Sequence, residues 1–469
     1  MSSLSPLQAE LQTRIRSRSM GLKLLVVCGL ALLMTIPSFF VEGIVDDRTA
    51  RARDVVKEVS SHVGGQQTFL GPTLAVPYTI PAQTPTDFAK HGVYLIYPAR
   101  AFAKVTTKTE ERRRSLFKVP VFQADLKLDA AFDLAGTPSA APPGAELDWS
   151  RAEIVVGVSD ARGALADATL ATEGRTTILA PSTVVQELAV GADQGERIKL
   201  TLFGANAAGA AKPGAQFDVS TALRFSGAQR IALLAYGKTT TLKMNGDWPS
   251  PGFDGGFLPV SRNLSASGFN AEWSVPFIAR AIRSEGQAET MAGLDQTALG
   301  VSFIEVADPY QSVNRCLKYL PLFIGLLFLS YFVFEVTTGK RVHPAQYILV
   351  GIAQIIFYLL LLSIAERIGF DFGFLVAGAA TVLLLSANAG WVFASRLQVL
   401  RALVIFTMLY VLIYLLLRLE DNALLVGAIA SFLAVTAAMY FTKSIDWYSS
   451  FSTGSSELSM PSVAPGNAK

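Results

Sequence analysis

Between Tyr347 and Ala365 the chain runs nineteen residues without a formal charge, YILVGIAQIIFYLLLLSIA. At about 1.5 Å rise per residue a helix of that length crosses a hydrocarbon layer of roughly 30 Å. The run therefore reads as a membrane span. Lys340, Arg341 and His343 precede it, and Glu366, Arg367 and Asp371 follow. The basic excess on the entry side predicts that this side faces the cytoplasm. His343 and Pro344 form the loop entry, with proline in the first helical turn where its missing N–H costs nothing.

Similar runs stand on both sides. Leu317 to Val336, Phe372 to Phe393, Leu397 to Leu417 and Ala423 to Phe441 make, with the first, a block of five expected spans. An earlier run, Gly21 to Val41, follows a flank carrying Arg14, Arg16 and Arg18, with Lys23 just inside the apolar stretch. It is longer than a signal-peptide core and no A-x-A site follows it, so it reads as an uncleaved anchor. Lys340, Arg341, Arg396, Arg401 and Lys443 then fall on the side of the N-terminus, as does the tail. Arg315 and Lys318, at the outer end of the second span, oppose that pattern and read as interfacial snorkels.

The region between anchor and block has a different texture. From Gly43 to about His62, apolar residues near helical spacing alternate with Arg48, Arg51, Arg53 and Lys57, which predicts a stalk helix. After Gly64 and Gly65 come short runs rich in Val, Thr, Tyr and Phe, broken by Gly and Pro. Expected strands include Thr73 to Ile80, Gly92 to Tyr97, Ala101 to Lys108, Leu116 to Leu134, Glu153 to Val158, Gln216 to Phe225, Thr239 to Met244 and Phe269 to Val275. Such a series predicts antiparallel sheets packed as a sandwich or a related β-rich fold. Asp247 to Gly268, dense in Gly and Pro, reads as an ordered surface loop.

The expected fold class is thus an α+β membrane protein: an N-terminal anchor helix, a large antiparallel β-rich periplasmic domain, and a five-helix C-terminal transmembrane bundle. The boundaries are a cytoplasmic basic N-terminus at 1–20, the anchor at 21–41, stalk and β-rich domain at 42–316, the spans at 317–441 and a cytoplasmic tail at 442–469. A hydrophobic share of 51% against 16% charged fits a membrane chain. The net charge of +3, with basic residues scattered or beside spans, excludes the basic stripe that nucleic acid requires. Both cysteines, Cys28 and Cys316, lie in or beside apolar runs, so the middle region has none to cross-link.

Chemistry-bearing patterns are sparse. There is no H-E-x-x-H, G-x-S-x-G, P-loop or dinucleotide fingerprint. With only His62 and His91 in the middle region, neither a metal site nor a cofactor is expected. The densest charge cluster is Glu110, Glu111, Arg112, Arg113, Arg114. Its plainer reading is a solvated turn; its sharper one is an anionic docking surface for lipid headgroups or a partner, because adjacent arginines pair phosphates bidentately. Within the spans the candidate polar residues are Gln354 and Asn388, either of which can bond across helices. Glu335 ends the second span and is expected to pair with Lys340 or Arg341 at the interface.

The stretches RCLKYLPLFIGLLFLSYFVFE from Arg315 and HPAQYILVGIAQIIFYLLLLSIAE from His343 resemble the membrane block of the CreD family of bacterial inner-membrane cell-envelope integrity proteins. Further matches are GPTLAVPYTIP from Gly71, ERRRSLFKVPVF from Glu111, WPSPGFDGGFLP from Trp248, GFNAEW from Gly268 and GVSFIEVADPYQ from Gly300. Ser115 and Phe122 stand where the family pattern has Gly and Tyr. The resemblance covers nearly the whole chain. It implies an inner-membrane protein tied to envelope stress, in some bacteria under a Cre-type two-component regulator, and it supplies no catalytic residues. The expected role is non-catalytic maintenance of the envelope, with membrane lipid and an envelope protein or cell-wall partner as contacts. The alternative is a transporter or lipid-handling channel, which a polar cavity lined by Tyr347, Gln354, Tyr358 and Asn388 would favour.

Overall fold

The computed structural model describes residues 20–82, 87–114, 117–191, 197–288, 293–303, 309–340, 342–419 and 423–443. The chain divides into two compact units, residues 51–306 and a second unit formed by residues 1–50 with 307–469.

The first of these is β-rich. One sheet runs in the order Glu187–Val190, Ile198–Asn206, Glu153–Val158, Gln67–Ile80, Arg230–Leu234, Ala298–Phe303, Pro251–Gly255, with shorter strands off this path. The other runs Ser261–Ser265, Gly268–Val275, Thr239–Gly246, Arg100–Arg114, Phe117–Asp133, Gln216–Ala228, Thr169–Thr172, Arg175–Ile178. Alternation along Phe117–Asp133 sends Phe122, Ala124, Leu126 and Leu128 into the core while Gln123, Asp125 and Lys127 stay exposed on the other face. Phe69, Val76, Val105, Leu126, Phe225, Leu242 and Trp273, from both sheets, share one continuous core. With no cross-links available, this burial holds the unit together.

Three expectations need correction. The sheets are mixed: Gln67–Ile80 pairs in parallel with Arg230–Leu234, and Thr239–Gly246 with Arg100–Arg114. Alternation in sequence reports which face a side chain takes and is silent on the neighbouring strand's direction. The Asp247 to Gly268 segment contains the strands Pro251–Gly255 and Ser261–Ser265. Its glycines permit close approach, since a Cβ on Gly256 would overlap the Gln296 carbonyl, and Trp273 Nε1 donates to Phe257 O at 3.1 Å. Finally, the strand from Arg100 continues through Arg114, so the arginine run lies on a strand end and not in a turn.

The second unit is helical. Helices α1 (Met20–Leu33) and α2 (Ile36–His62), the latter part of this unit as far as Ala50, are interrupted at Met34 and Thr35. Pro37 accounts for the break: it has no N–H and its ring blocks the Leu33 carbonyl. Thr35 Oγ1 donates to Leu32 O at 2.6 Å and Ser38 Oγ to Thr35 O at 2.5 Å, partly replacing the lost ladder. Then follow α3 (Pro309–Lys318), α4 (Leu320–Thr338), α5 (Pro344–Ile368), α6 (Phe370–Phe393), α7 (Arg396–Arg418) and α8 (Ala423–Thr442).

Helix α3 was absent from the sequence reading, and it changes the account of Arg315 and Lys318. These residues are not at the outer end of a span but on the exposed face of a separate amphipathic helix, whose Val313, Cys316 and Leu317 are buried. Pro321 opens α4 as a new helix. Among the described residues five stretches are long and apolar enough to cross a membrane: Lys23–His62, α4, α5, α6 and α7. The described apolar part of α8, Leu425–Tyr440, is shorter.

Candidate functional site

Within the helical unit the polar side chains gather at a seam where α1 packs against α4 and α5. Near the start of α1, Lys23 Nζ forms an ion pair with Glu335 and donates to Val342 O at 2.8 Å. Glu335, only 1% exposed, also accepts from Val342 N at 2.9 Å and from Tyr347 Oη at 3.1 Å. The partner expected from sequence is corrected here: Lys340 donates instead to Phe393 O, and Arg341 lies outside the described residues. Midway along the seam, Met34 fills a notch over Gly351, where an added Cβ would lie 2.6 Å from Met34 Cγ. At the far end, Arg48 Nη1 stands 3.9 Å from Glu366 Oε1, which accepts from Tyr310 Oη at 3.1 Å. In the sequence Lys23 and Glu335 stand 312 residues apart, and nothing local joins them. Two opposite charges, each embedded in an apolar run on the same expected side of the membrane, were the available signal.

The expected intramembrane residues do not converge on one cavity. Gln354 is fully buried in α5 and accepts from Tyr410 Oη at 2.8 Å, while its Nε2 has no partner among the described residues. Tyr358 faces Gln354 and the Cys316 thiol without a well-formed bond to either. Asn388 belongs to another set, accepting from Tyr331 Oη at 3.1 Å and reaching Gln346 Oε1 at 3.4 Å. Tyr347 is taken up by Glu335. Aromatic rings fill the space between these sets: Tyr331 stacks on Phe406, and Tyr410 meets Phe323 and Phe357 edge to face at 4.9 and 5.0 Å.

A model of the family described as inner membrane protein CreD matches residues 19–448 of this chain. The chain belongs to the CreD family. It is 29% identical over 441 residues to inner membrane protein CreD of Escherichia coli (strain K12), covering 91% of this chain and 93% of that relative. It is accordingly an inner-membrane protein, and the apolar helices of the second unit suit that setting. Among the described residues no His, Cys, Asp and Glu side chains gather in a group able to hold a metal ion.

In this CreD chain the arginine run is largely engaged by neighbouring acids. Arg112 Nε donates to Glu110 Oε1 at 2.9 Å, Arg114 pairs with Glu58 of α2, and Lys118 Nζ lies 3.5 Å from Glu111 Oε2. Arg113 has no ion pair among the described residues. All three arginines are exposed. Beneath them Val56 and Val59 of α2 pack against Val119 and Val121 of the adjoining strand, which fixes where Glu58 sits. Several family motifs prove architectural. In the Trp248 motif, Asp254 accepts from Arg230 Nε at 2.9 Å and from Ser302 Oγ, tying together three strands.

Proposed function

We propose that this chain maintains the integrity of the cell envelope without catalysis, as a β-rich periplasmic domain held at both ends by membrane helices. In this reading α8 is a sixth span, both termini are cytoplasmic, and the spans hold the domain instead of forming a pathway. The observation that carries it is the use of the bundle's polar side chains: Glu335, Asn388 and the Oε1 of Gln354 are taken up in bonds between helices, among packed aromatic rings. Such bonds hold helices together where lipid offers no alternative partner. The exposed arginines Arg112, Arg113 and Arg114 are the proposed contact with an anionic partner or lipid surface.

A transporter or lipid-handling channel is the second reading, supported by the Nε2 of Gln354 and the hydroxyl of Tyr358, which have no partner among the described residues. A strain lacking this chain and sensitised at its envelope separates function from mere presence: expression of the full chain is expected to restore growth under envelope-acting stress. No restoration at normal expression would remove the reading. The topology is tested with Cys28→Ser as background. An impermeant maleimide on spheroplasts is expected to label Lys104→Cys and to spare Ser452→Cys, and the reverse pattern would invert the arrangement.

A further inference from the structure

Helices α6 and α7 do not close against each other along their full length. Between them lies a recess of about 590 Å³, within the range of roughly 300–1,000 Å³ typical of small-molecule sites. Gly378 and Ala379 leave the space on α6, and Leu403, Thr407 and the ring of Tyr410 form the facing wall on α7. Its open side carries Phe372, Leu375 and Leu383, all more than 60% exposed. Helix α8 packs on α4 and α7 and leaves the recess uncovered.

The recess has one polar end. There Arg418 Nη2 donates to Asp371 Oδ2 at 2.5 Å, Tyr414 Oη donates to Asp371 Oδ1 at 3.1 Å, and Arg418 Nε lies 3.3 Å from Tyr414 Oη. The Arg418 side chain is 58% exposed, and its Nη1 donates to none of the described residues. From Asp371 to Leu383 the apolar floor runs about 18 Å at about 1.5 Å per residue. That is close to the depth of a single leaflet, about half of a roughly 30 Å hydrocarbon layer. The polar end then stands at headgroup depth, where Arg and Tyr side chains settle.

The geometry points to a phospholipid site: one acyl chain of a lipid from the leaflet at which α6 begins lies in the α6/α7 recess, with its phosphate on Arg418 Nη1. The site rests on the reading of α6 and α7 as membrane spans, and it does not depend on the proposed function. A phosphate suits a guanidinium whose remaining donors face outward. An acyl chain suits a wall that offers one threonine and otherwise hydrocarbon. Tyr410 forms that wall and also donates to Gln354, so the occupant would touch the buried polar set through a single side chain.

The test uses the full chain in nanodiscs of phosphatidylcholine containing a minor share of phosphatidylglycerol with a diazirine midway along its acyl chain. After irradiation, cross-links are mapped by peptide mass spectrometry. Labelling of Leu375, Ala379, Leu403 and Thr407 is expected several-fold above that of Phe432 and Leu433, exposed on α8. Ala379→Trp, which fills the recess from an exposed position, should abolish the excess and leave α8 labelling unchanged. Arg418→Gln should lower the excess several-fold while sparing the fold, because its bonds are exposed. Even labelling of all exposed faces would mean annular lipid only and would overturn the site. Protection of the recess by cross-links to a second copy would overturn it equally. An excess indifferent to Arg418→Gln would refute the headgroup contact.

Discussion

Glu335 is a carboxylate almost wholly withdrawn from solvent, and what keeps it tolerable is the lysine that α1 brings from the other end of the chain. Removing one partner of a buried pair leaves the other uncompensated, at a cost of about 3–5 kcal/mol. Lys23→Met is therefore expected to destabilise the helical unit by about 3 kcal/mol in detergent. Adding Glu335→Gln, whose amide oxygen keeps an acceptor for Val342 N while its NH2 can donate to Tyr347 Oη, should recover more than half of the loss. Purely additive effects in thermal unfolding would show that the two residues do not interact. In the β-rich unit Tyr97 is buried beneath the Arg280 guanidinium, 4.3 Å from its ring centroid. Burial pushes the Tyr97 hydroxyl up to about 12, against the pull of Arg280, and burial with the charge of Glu285 takes Tyr94 to about 12. A folded-state pKa above the unfolded value of about 10 means stability that is complete below pH about 10 and lost as pH rises toward 12. Tyr97→Phe should flatten that alkaline decline in denaturant titrations, and an unchanged slope would count against the assignment.

At the scale of elements, the hairpin end bearing Arg112, Arg113 and Arg114 and the seam along α1 make opposite predictions. The arginine pairs are exposed, so replacing all three by Ala should change stability by no more than about 1 kcal/mol. The same variant should bind anionic vesicles more weakly, and unchanged binding would dismiss these residues as a contact. On the seam, Gly351→Leu places a side chain where Met34 sits, and overpacking of this kind costs about 1–3 kcal/mol. Its unfolding midpoint should fall, and a further Met34→Ala should raise it again. The elements themselves were legible to different degrees. Long apolar runs announced α5, α6 and α7, and Pro344 marked a start, whereas the break before Pro37 lay hidden inside the single run Gly21–Val41. Helix α3 was hidden because its buried face, Val313, Cys316 and Leu317, merges in sequence with the apolar run of α4. The strands within 247–268 were hidden because glycine there serves close backbone approach to Gln296 and Ala298, which one sequence does not display.

At the scale of the whole molecule, the two units follow different rules. Residues 51–306 bury apolar side chains between two sheets without cross-links, whereas the helical unit is held by aromatic packing and by polar bonds placed along helix seams. That apolar helices accompany a β-rich region was readable from hydropathy and strand-like runs; strand direction and the pairing of Lys23 with Glu335 were not, because both depend on contacts between residues far apart in sequence. On the proposed function, the intramembrane polar residues join helices and carry nothing across them. The most direct measurement is complementation of an envelope-stress defect by a chain carrying Gln354→Leu and Asn388→Leu together. Both changes keep approximate volume, and the first removes an amide nitrogen that has no partner among the described residues. The account predicts rescue equal to that by the unaltered chain. Loss of rescue by a variant shown to be folded and in the inner membrane would contradict it, and would place Gln354 and Asn388 on a pathway.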